Sequence, residues 1–84
     1  MYNENGENQM NRLKELREDR DLYQKDIARI INVDQSNYSK YEHEKINIPR
    51  EALEKLAEFY GTSVDYILYR TDKKDAYPKS IVHQ

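Results

Sequence analysis

One stretch of this sequence constrains the fold more than any other, residues 24–43, QKDIARIINVDQSNYSKYEH. Apolar side chains recur in it at helical spacing on both sides of Asn32. Ala28 is small enough to let two helix backbones approach each other, and Asn tolerates the left-handed conformation that a sharp turn requires. The side chains spaced to fill the corner are Ile27, Ile31, Val33, Tyr38 and Tyr41. The stretch therefore predicts two short helices packed near a right angle and joined by a tight turn.

The sequence on either side of this stretch predicts three further helices. A first helix is expected from Gln9, because Met10, Leu13 and Leu16 recur every three residues up to the polar run 17–21. The second is expected over residues 24–31 and the third over about 34–42. A loop at 45–51 leads into a fourth helix with apolar residues at core spacing, and a fifth follows Ser63. No segment alternates with period two, so the predicted class is all-α, a compact domain of five helices.

Several helix ends are marked by single residues. Asp34 and Ser63 are placed to cap the third and fifth helices, since their side chains accept hydrogen bonds from exposed N–H groups of a first turn. Pro49 is expected near the first turn of the fourth helix, and Gly61 ends that helix. The inner face of the second helix is expected to consist of Ile27, Ala28, Ile30 and Ile31.

Composition limits the chain to one small domain. It has 84 residues, a net charge of −2 and no cysteine, which excludes disulfides and thiolate chemistry. Residues 1–8 are expected to be a disordered start, 9–71 the folded domain and 72–84 a tail. No apolar run is long enough for a membrane span or a signal peptide, so the expected location is cytoplasmic.

At this point the sequence resembles a known group, the phage-repressor-like, Cro-type (XRE-type) helix-turn-helix family. The resemblance covers roughly residues 9–72. It rests on NRLKELRED (11–19), QKDIA (24–28), NVDQSNYSKYE (32–42), NIPREALEKLAEFY (47–60) and TSVDYIL (62–68). It implies a lambda-repressor-like five-helix DNA-binding domain, commonly a dimeric repressor, whose third helix enters the major groove of double-stranded DNA.

The resemblance also implies roles for individual residues. The residues expected to contact bases lie on the outward face of the third helix and are Gln35, Ser36, Asn37, Ser39 and Lys40. A Gln amide pairs in two-pronged fashion with adenine, and Lys is suited to guanine or a phosphate. Contacts with the DNA backbone fall to Gln24, His43, Lys45 and Asn47. Arg17 and Glu42 match positions that form a buried or half-buried ion pair.

This chain departs from the family pattern at three positions. Tyr23 opens the second helix where a Thr cap is usual, so that cap is expected to be missing. Asn32 replaces the Gly of the turn, a change that should cost little. Glu44 stands where a loop Gly is usual, and its carboxylate is expected to point away from DNA.

The charge of the motif region is close to neutral. Residues 24–50 hold five Lys or Arg and four Asp or Glu, a net charge of +1, so we expect weak non-specific affinity for DNA. A homodimer on a short inverted repeat would compensate, because it places two recognition helices in successive major grooves. Candidate dimer contacts are the late apolar residues Tyr66, Tyr69, Tyr77, Ile81 and Val82.

The alternative to a DNA-binding repressor is a protein-interaction module, such as an antitoxin or co-regulator with the same fold. Net acidity, Tyr23 and Glu44 favour that alternative. An enzyme is not expected, since no nucleophile–base pair, glycine-rich phosphate loop or metal motif is present. No cofactor, metal, membrane or small-molecule partner is expected either.

Overall fold

The computed structural model describes residues 10–75, and five helices make up this part of the chain. Their bounds are α1 Leu13–Asp19, α2 Gln24–Ile30, α3 Gln35–Glu42, α4 Arg50–Tyr60 and α5 Val64–Ile67. Residues 10–75 contain no strand, and the predicted all-α, five-helix class is confirmed. The start expected to be disordered, residues 1–8, lies outside the described residues, as does the tail beyond residue 75.

The predicted helix ends are present. The Asp34 side chain accepts a hydrogen bond from the Asn37 N–H at 2.9 Å, and the Ser63 hydroxyl oxygen accepts one from the Tyr66 N–H at 3.0 Å. Gly61 follows α4 with φ of 67°, the left-handed conformation that suits glycine. Local sequence therefore sets where three of the helices start or stop.

The start of α2 is stabilised in a way that the sequence did not indicate. The Tyr23 side chain makes no cap bond, as expected from the missing Thr. The Tyr23 N–H instead donates to the Asp26 carboxylate at 2.9 Å. This contact is the N3-carboxylate half of a capping box, and it satisfies one of the donors exposed at a helix start.

The corner between α2 and α3 is part of the buried core. Ile27 and Tyr38 are fully buried, and the other buried residues at the corner are Ala28, Ile31 and Tyr41. Val33 is half-buried and packs against them. Ile30 was expected on the inner face, and that prediction is wrong, because Ile30 is 37% exposed. At 3.6 residues per turn, Ile30 lies roughly 100° from the centre of the face formed by Ile27, Ala28 and Ile31.

The start of α1 also differs from the prediction. The helix begins at Leu13, and Met10 is 67% exposed instead of belonging to the apolar stripe. Asn11 explains the later start, since its side-chain oxygen accepts from the Leu13 N–H at 3.0 Å. The Asn11 amide also donates to the Tyr41 carbonyl at 3.1 Å, so the residue joins the start of α1 to the end of α3.

Candidate nucleic-acid interface

The turn between α2 and α3 brings the two helices together. Asn32 has φ of 61°, the left-handed conformation expected of the turn residue. The Asn32 N–H donates to the Arg29 carbonyl at 3.2 Å and the Val33 N–H to the Ala28 carbonyl at 3.0 Å. These bonds end α2 and direct the chain into α3. The α2–turn–α3 unit predicted from residues 24–43 is therefore formed.

An ion pair lies directly beneath the unit. The Arg17 Nε donates to Glu42 Oε2 at 2.7 Å, and the Arg17 Nη2 donates to Glu42 Oε1 at 3.2 Å. The remaining guanidinium nitrogen donates to the Leu22 carbonyl at 2.9 Å. The exposed fraction of the Glu42 side chain is only 2%. The two-pronged geometry ties α1 to the last residue of α3, which fixes the position of α3.

The pair sets the ionisation of its own members. Burial by itself would raise the pKa of Glu42, but hydrogen bonds from Arg17 and Gln24, the neighbouring Tyr38 hydroxyl and the charge of Arg17 outweigh it. The pKa of Glu42 is therefore lowered. The Tyr38 hydroxyl is buried beside this carboxylate without a hydrogen bond of regular geometry. Burial and then the carboxylate raise the pKa of Tyr38 far above its usual value, so the tyrosine is neutral.

The five predicted base-reading residues all lie on α3, but not all are equally open. Gln35, Ser36 and Lys40 are exposed, whereas Asn37 and Ser39 are half-buried. The Ser39 hydroxyl is 3.4 Å from the His43 Nδ1. The structure thus presents Gln35, Ser36 and Lys40 most openly to a ligand.

The four predicted backbone-contacting residues are divided between two places. His43, Lys45 and Asn47 are exposed at and after the end of α3. The His43 Nδ1 lies 2.8 Å from the Ser39 carbonyl, so this nitrogen carries the proton and donates. The Gln24 amide nitrogen donates to Glu42 Oε1 at 3.0 Å, a contact that the sequence did not indicate. One N–H of that amide remains for another acceptor.

A shallow depression lies where the start of α2 meets the start of α3. It is lined by Arg17, Tyr23, Gln24, Lys25 and Gln35. Tyr23 is 69% exposed and the Lys25 ammonium lies 5.6 Å from the centre of its ring. Sequence reasoning missed Tyr23 and Lys25 as candidate contact residues. Their positions in the sequence, on either side of Gln24, could have indicated them.

Glu44 takes up the loop conformation for which a glycine was expected. Its φ is 61°, and its carboxylate accepts a hydrogen bond from the Met10 N–H at 2.6 Å. The carboxylate is therefore held against the segment before α1. This contact is consistent with the expectation that the carboxylate points away from DNA. The loop keeps a residue in the left-handed conformation although it has no glycine.

The candidate dimer residues within the described part of the chain already have partners in the same molecule. The Arg12 guanidinium lies 4.0 Å from the centre of the Tyr66 ring and 4.1 Å from that of Tyr69. Its Nε also donates to the Tyr66 carbonyl at 2.8 Å. Tyr69 nonetheless remains 39% exposed. Tyr77, Ile81 and Val82 lie outside the described residues.

Two features are absent from residues 10–75. No group of three or more His, Asp or Glu side chains there is arranged to hold a metal ion. No helix in that range combines the length and the apolar character needed to cross a bilayer.

Comparison with known proteins agrees with this geometry. Residues 10–73 match the model of a family described as "Helix-turn-helix domain". Over 64 residues, 76% of this chain, the sequence is 41% identical to the uncharacterized HTH-type transcriptional regulator YobD of Bacillus subtilis (strain 168). Over 53 residues, 63% of this chain, it is 38% identical to the cryptic phage CTXphi transcriptional repressor RstR of Vibrio cholerae.

These matches cover part of the relatives. The chain spans 57% of the length of YobD and 48% of that of RstR. No solved structure matches the chain.

Proposed function

The chain belongs to the helix-turn-helix domain family, and on that premise we propose that it is a sequence-specific DNA-binding transcriptional regulator. The observation that carries the proposal is the outward face of α3, where Gln35, Ser36 and Lys40 are exposed above a well-packed corner. In this proposal α3 enters the major groove, where amide, hydroxyl and ammonium groups discriminate bases. The DNA-binding unit is residues 9–71, acting in the cytoplasm, and no catalytic step is involved.

In this proposal Gln35 and Ser36 read bases from the first turn of α3. Asn37, Ser39 and Lys40 complete the set, with Lys40 one turn further along the groove. Ser39 and Asn37 are half-buried, so their contribution is smaller than that of the exposed residues.

Backbone contacts in the proposal come from both edges of α3. At one edge, Gln24, Tyr23 and Lys25 line the depression, which suits a DNA phosphate because the amide, the phenol and the ammonium all donate hydrogen bonds. Glu42 orients the Gln24 amide through its 3.0 Å bond and leaves one N–H for the phosphate. At the other edge, Lys45 and Asn47 supply donors and His43 contacts the backbone beside them, all three from exposed positions.

Weak phosphate attraction makes a homodimer part of the proposal. The motif region carries a net charge of only +1, so one copy gains little from counterion release. Two copies on a short inverted repeat place their α3 helices about one helical turn apart along the DNA. Tyr69, which remains 39% exposed beside Arg12, is the described candidate for that contact. The name of RstR, a transcriptional repressor, favours repression as the direction of regulation.

Of the three observations that favoured a protein-interaction module, those at Tyr23 and Glu44 are explained by contacts within the fold. Glu44 is occupied by the Met10 N–H, and the missing cap at Tyr23 is replaced by Asp26. Net acidity remains, but it is a property of the whole chain and not of α3.

Selection of bound duplexes from a random DNA pool tests the proposal. The unmutated protein should enrich one inverted-repeat sequence, and Gln35→Ala should lose discrimination at one position per half-site, by roughly 1–3 kcal/mol. Lys14→Ala, an exposed change on α1, is the control and should retain the selected sequence. If the unmutated protein enriches no sequence, and a co-purifying protein is found instead, the interaction module replaces the regulator.

A further inference from the structure

Asp34 uses its two carboxylate oxygens unequally. Oδ1 accepts a hydrogen bond from the Asn37 N–H at 2.9 Å and a longer one from the Ser36 hydroxyl at 3.4 Å. Among residues 10–75, Oδ2 takes no hydrogen bond, and the side chain is exposed. One oxygen therefore holds the start of α3 while the other is open to a ligand.

The Asp34 carboxylate has no ion-pair partner among the basic side chains of residues 10–75. The Ser36 hydroxyl donates to Oδ1 over 3.4 Å, and its lone pairs remain able to accept a hydrogen bond. The start of α3 thus presents hydrogen-bond acceptors at two exposed positions, Asp34 and Ser36.

The position of these acceptors matters because the first residues of a recognition helix are the ones that meet base edges. Guanine and thymine present acceptors in the major groove, which a carboxylate repels. Adenine presents its N6 donor beside the N7 acceptor. Cytosine presents its N4 donor without an adjacent acceptor on the same base, and Asp or Glu is its usual partner.

Resting on the proposed function, we propose that Asp34 is a specificity residue that accepts a hydrogen bond from cytosine N4 at one position of each half-site. Oδ1 keeps α3 capped and Oδ2 accepts from the base, so the same side chain sets both the start of the helix and the preference for cytosine. Ser36 strengthens the preference by holding Oδ1 and presenting a second acceptor. The carboxylate also lowers affinity for DNA that lacks the cytosine, because it then faces acceptors and phosphates unpaired.

The test is random-pool selection with the unmutated protein and with Asp34→Asn. Asn is as good an N-cap as Asp, so α3 keeps its start, while the charge is removed and a donor amide is introduced. We expect the unmutated protein to prefer cytosine at one position, and Asp34→Asn to lower that preference by about five- to tenfold with other positions unchanged. Asp34→Ser, a second variant that keeps a capping side chain, should also lose the cytosine preference.

The control is Glu58→Gln, which removes one negative charge from an exposed site on α4. It should leave the cytosine preference intact, which separates a local contact from a change in net charge. If the unmutated protein selects a sequence and Asp34→Asn keeps the same cytosine preference, the role of Asp34 is overturned and the proposed function stands. An unmutated protein that selects no sequence overturns both.

Discussion

The Arg17 Nε lies 2.7 Å from Glu42 Oε2, and this contact joins α1 to the end of α3 across 25 positions of sequence. The exposed fractions of the two side chains are 13% and 2%. Glu42 also accepts from Gln24 at 3.0 Å, so one carboxylate connects three of the five helices. The candidate recognition helix is therefore positioned by a charge that is buried inside the fold.

Breaking this pair from one side should destabilise the fold strongly. Arg17→Met leaves the Glu42 carboxylate buried without its cation, and we expect the free energy of unfolding to fall by about 3–5 kcal/mol. Urea denaturation followed by circular dichroism measures the change. The matched control is Arg50→Met, which removes an exposed i,i+4 pair with Glu54 at 3.0 Å and should cost less than about 0.5 kcal/mol. Equal losses in the two variants would contradict the structural role of the buried pair.

The same pair predicts acid sensitivity. The pKa of Glu42 is lowered in the fold from its ordinary value of 4.5, so the folded state binds this proton less readily than the unfolded state. The stabilisation is therefore complete above the unfolded pKa and is lost as pH falls through the folded one. Between about pH 6 and pH 3, the unfolding free energy of the unmutated protein should fall more steeply than that of Glu42→Gln. Parallel curves would show that Glu42 does not carry the effect.

Gly61 offers a test of backbone strain alone. Its φ is 67°, and a Cβ added there would meet no atom within 4 Å. Gly61→Ala should therefore cost about 1–2 kcal/mol from the left-handed conformation and nothing from crowding. Gly61→Asn should cost less, since Asn tolerates that conformation. Thermal unfolding compares the two variants, and an Ala variant as stable as the unmutated protein would refute the assignment.

Lys25 should contribute to phosphate binding at the depression beside Tyr23. If it neutralises one phosphate, Lys25→Ala weakens binding to all sequences alike and lowers the slope of log K against log salt by about 1. Titrations of a labelled duplex at several salt concentrations measure the slope. Lys14→Ala removes the same charge from the exposed face of α1 and should leave the slope unchanged. A reduced slope in both variants would point to overall charge instead of a local contact.

Local patterns of sequence were sufficient for much of the fold. The five helices, the caps at Asp34 and Ser63, the stop at Gly61 and the turn at Asn32 depend on residues close together in the chain, and all are present. The corner of Ile27, Tyr38 and their neighbours followed from helical spacing. Such features are predictable because propensity, capping and periodicity act over a few residues.

Two predictions were wrong because the fold placed an apolar residue differently from what its spacing indicated. Ile30 fits an apolar stripe by type, yet the direction of packing leaves it exposed. Met10 extends the spacing of Leu13 and Leu16, but the Asn11 side chain accepts from the Leu13 N–H and α1 begins only after it. The Gln24 amide donates to Glu42, a contact that the spacing did not indicate, and its role at a phosphate stays a prediction. For Ile30 and Met10 the residue type was compatible with the prediction, and a packing direction or a contact decided otherwise.

The sequence by itself determined that this chain forms five helices with a tight α2–α3 corner and a polar outward face on α3. Only the tertiary structure decided how that face is supported, through Arg17 with Glu42, Asn11 with Tyr41 and Glu44 with Met10. These contacts join residues 25, 30 and 34 positions apart. The physical reason is that periodicity specifies which side of a helix is buried, whereas the partner of a long polar side chain depends on which distant groups the packing brings within hydrogen-bond distance.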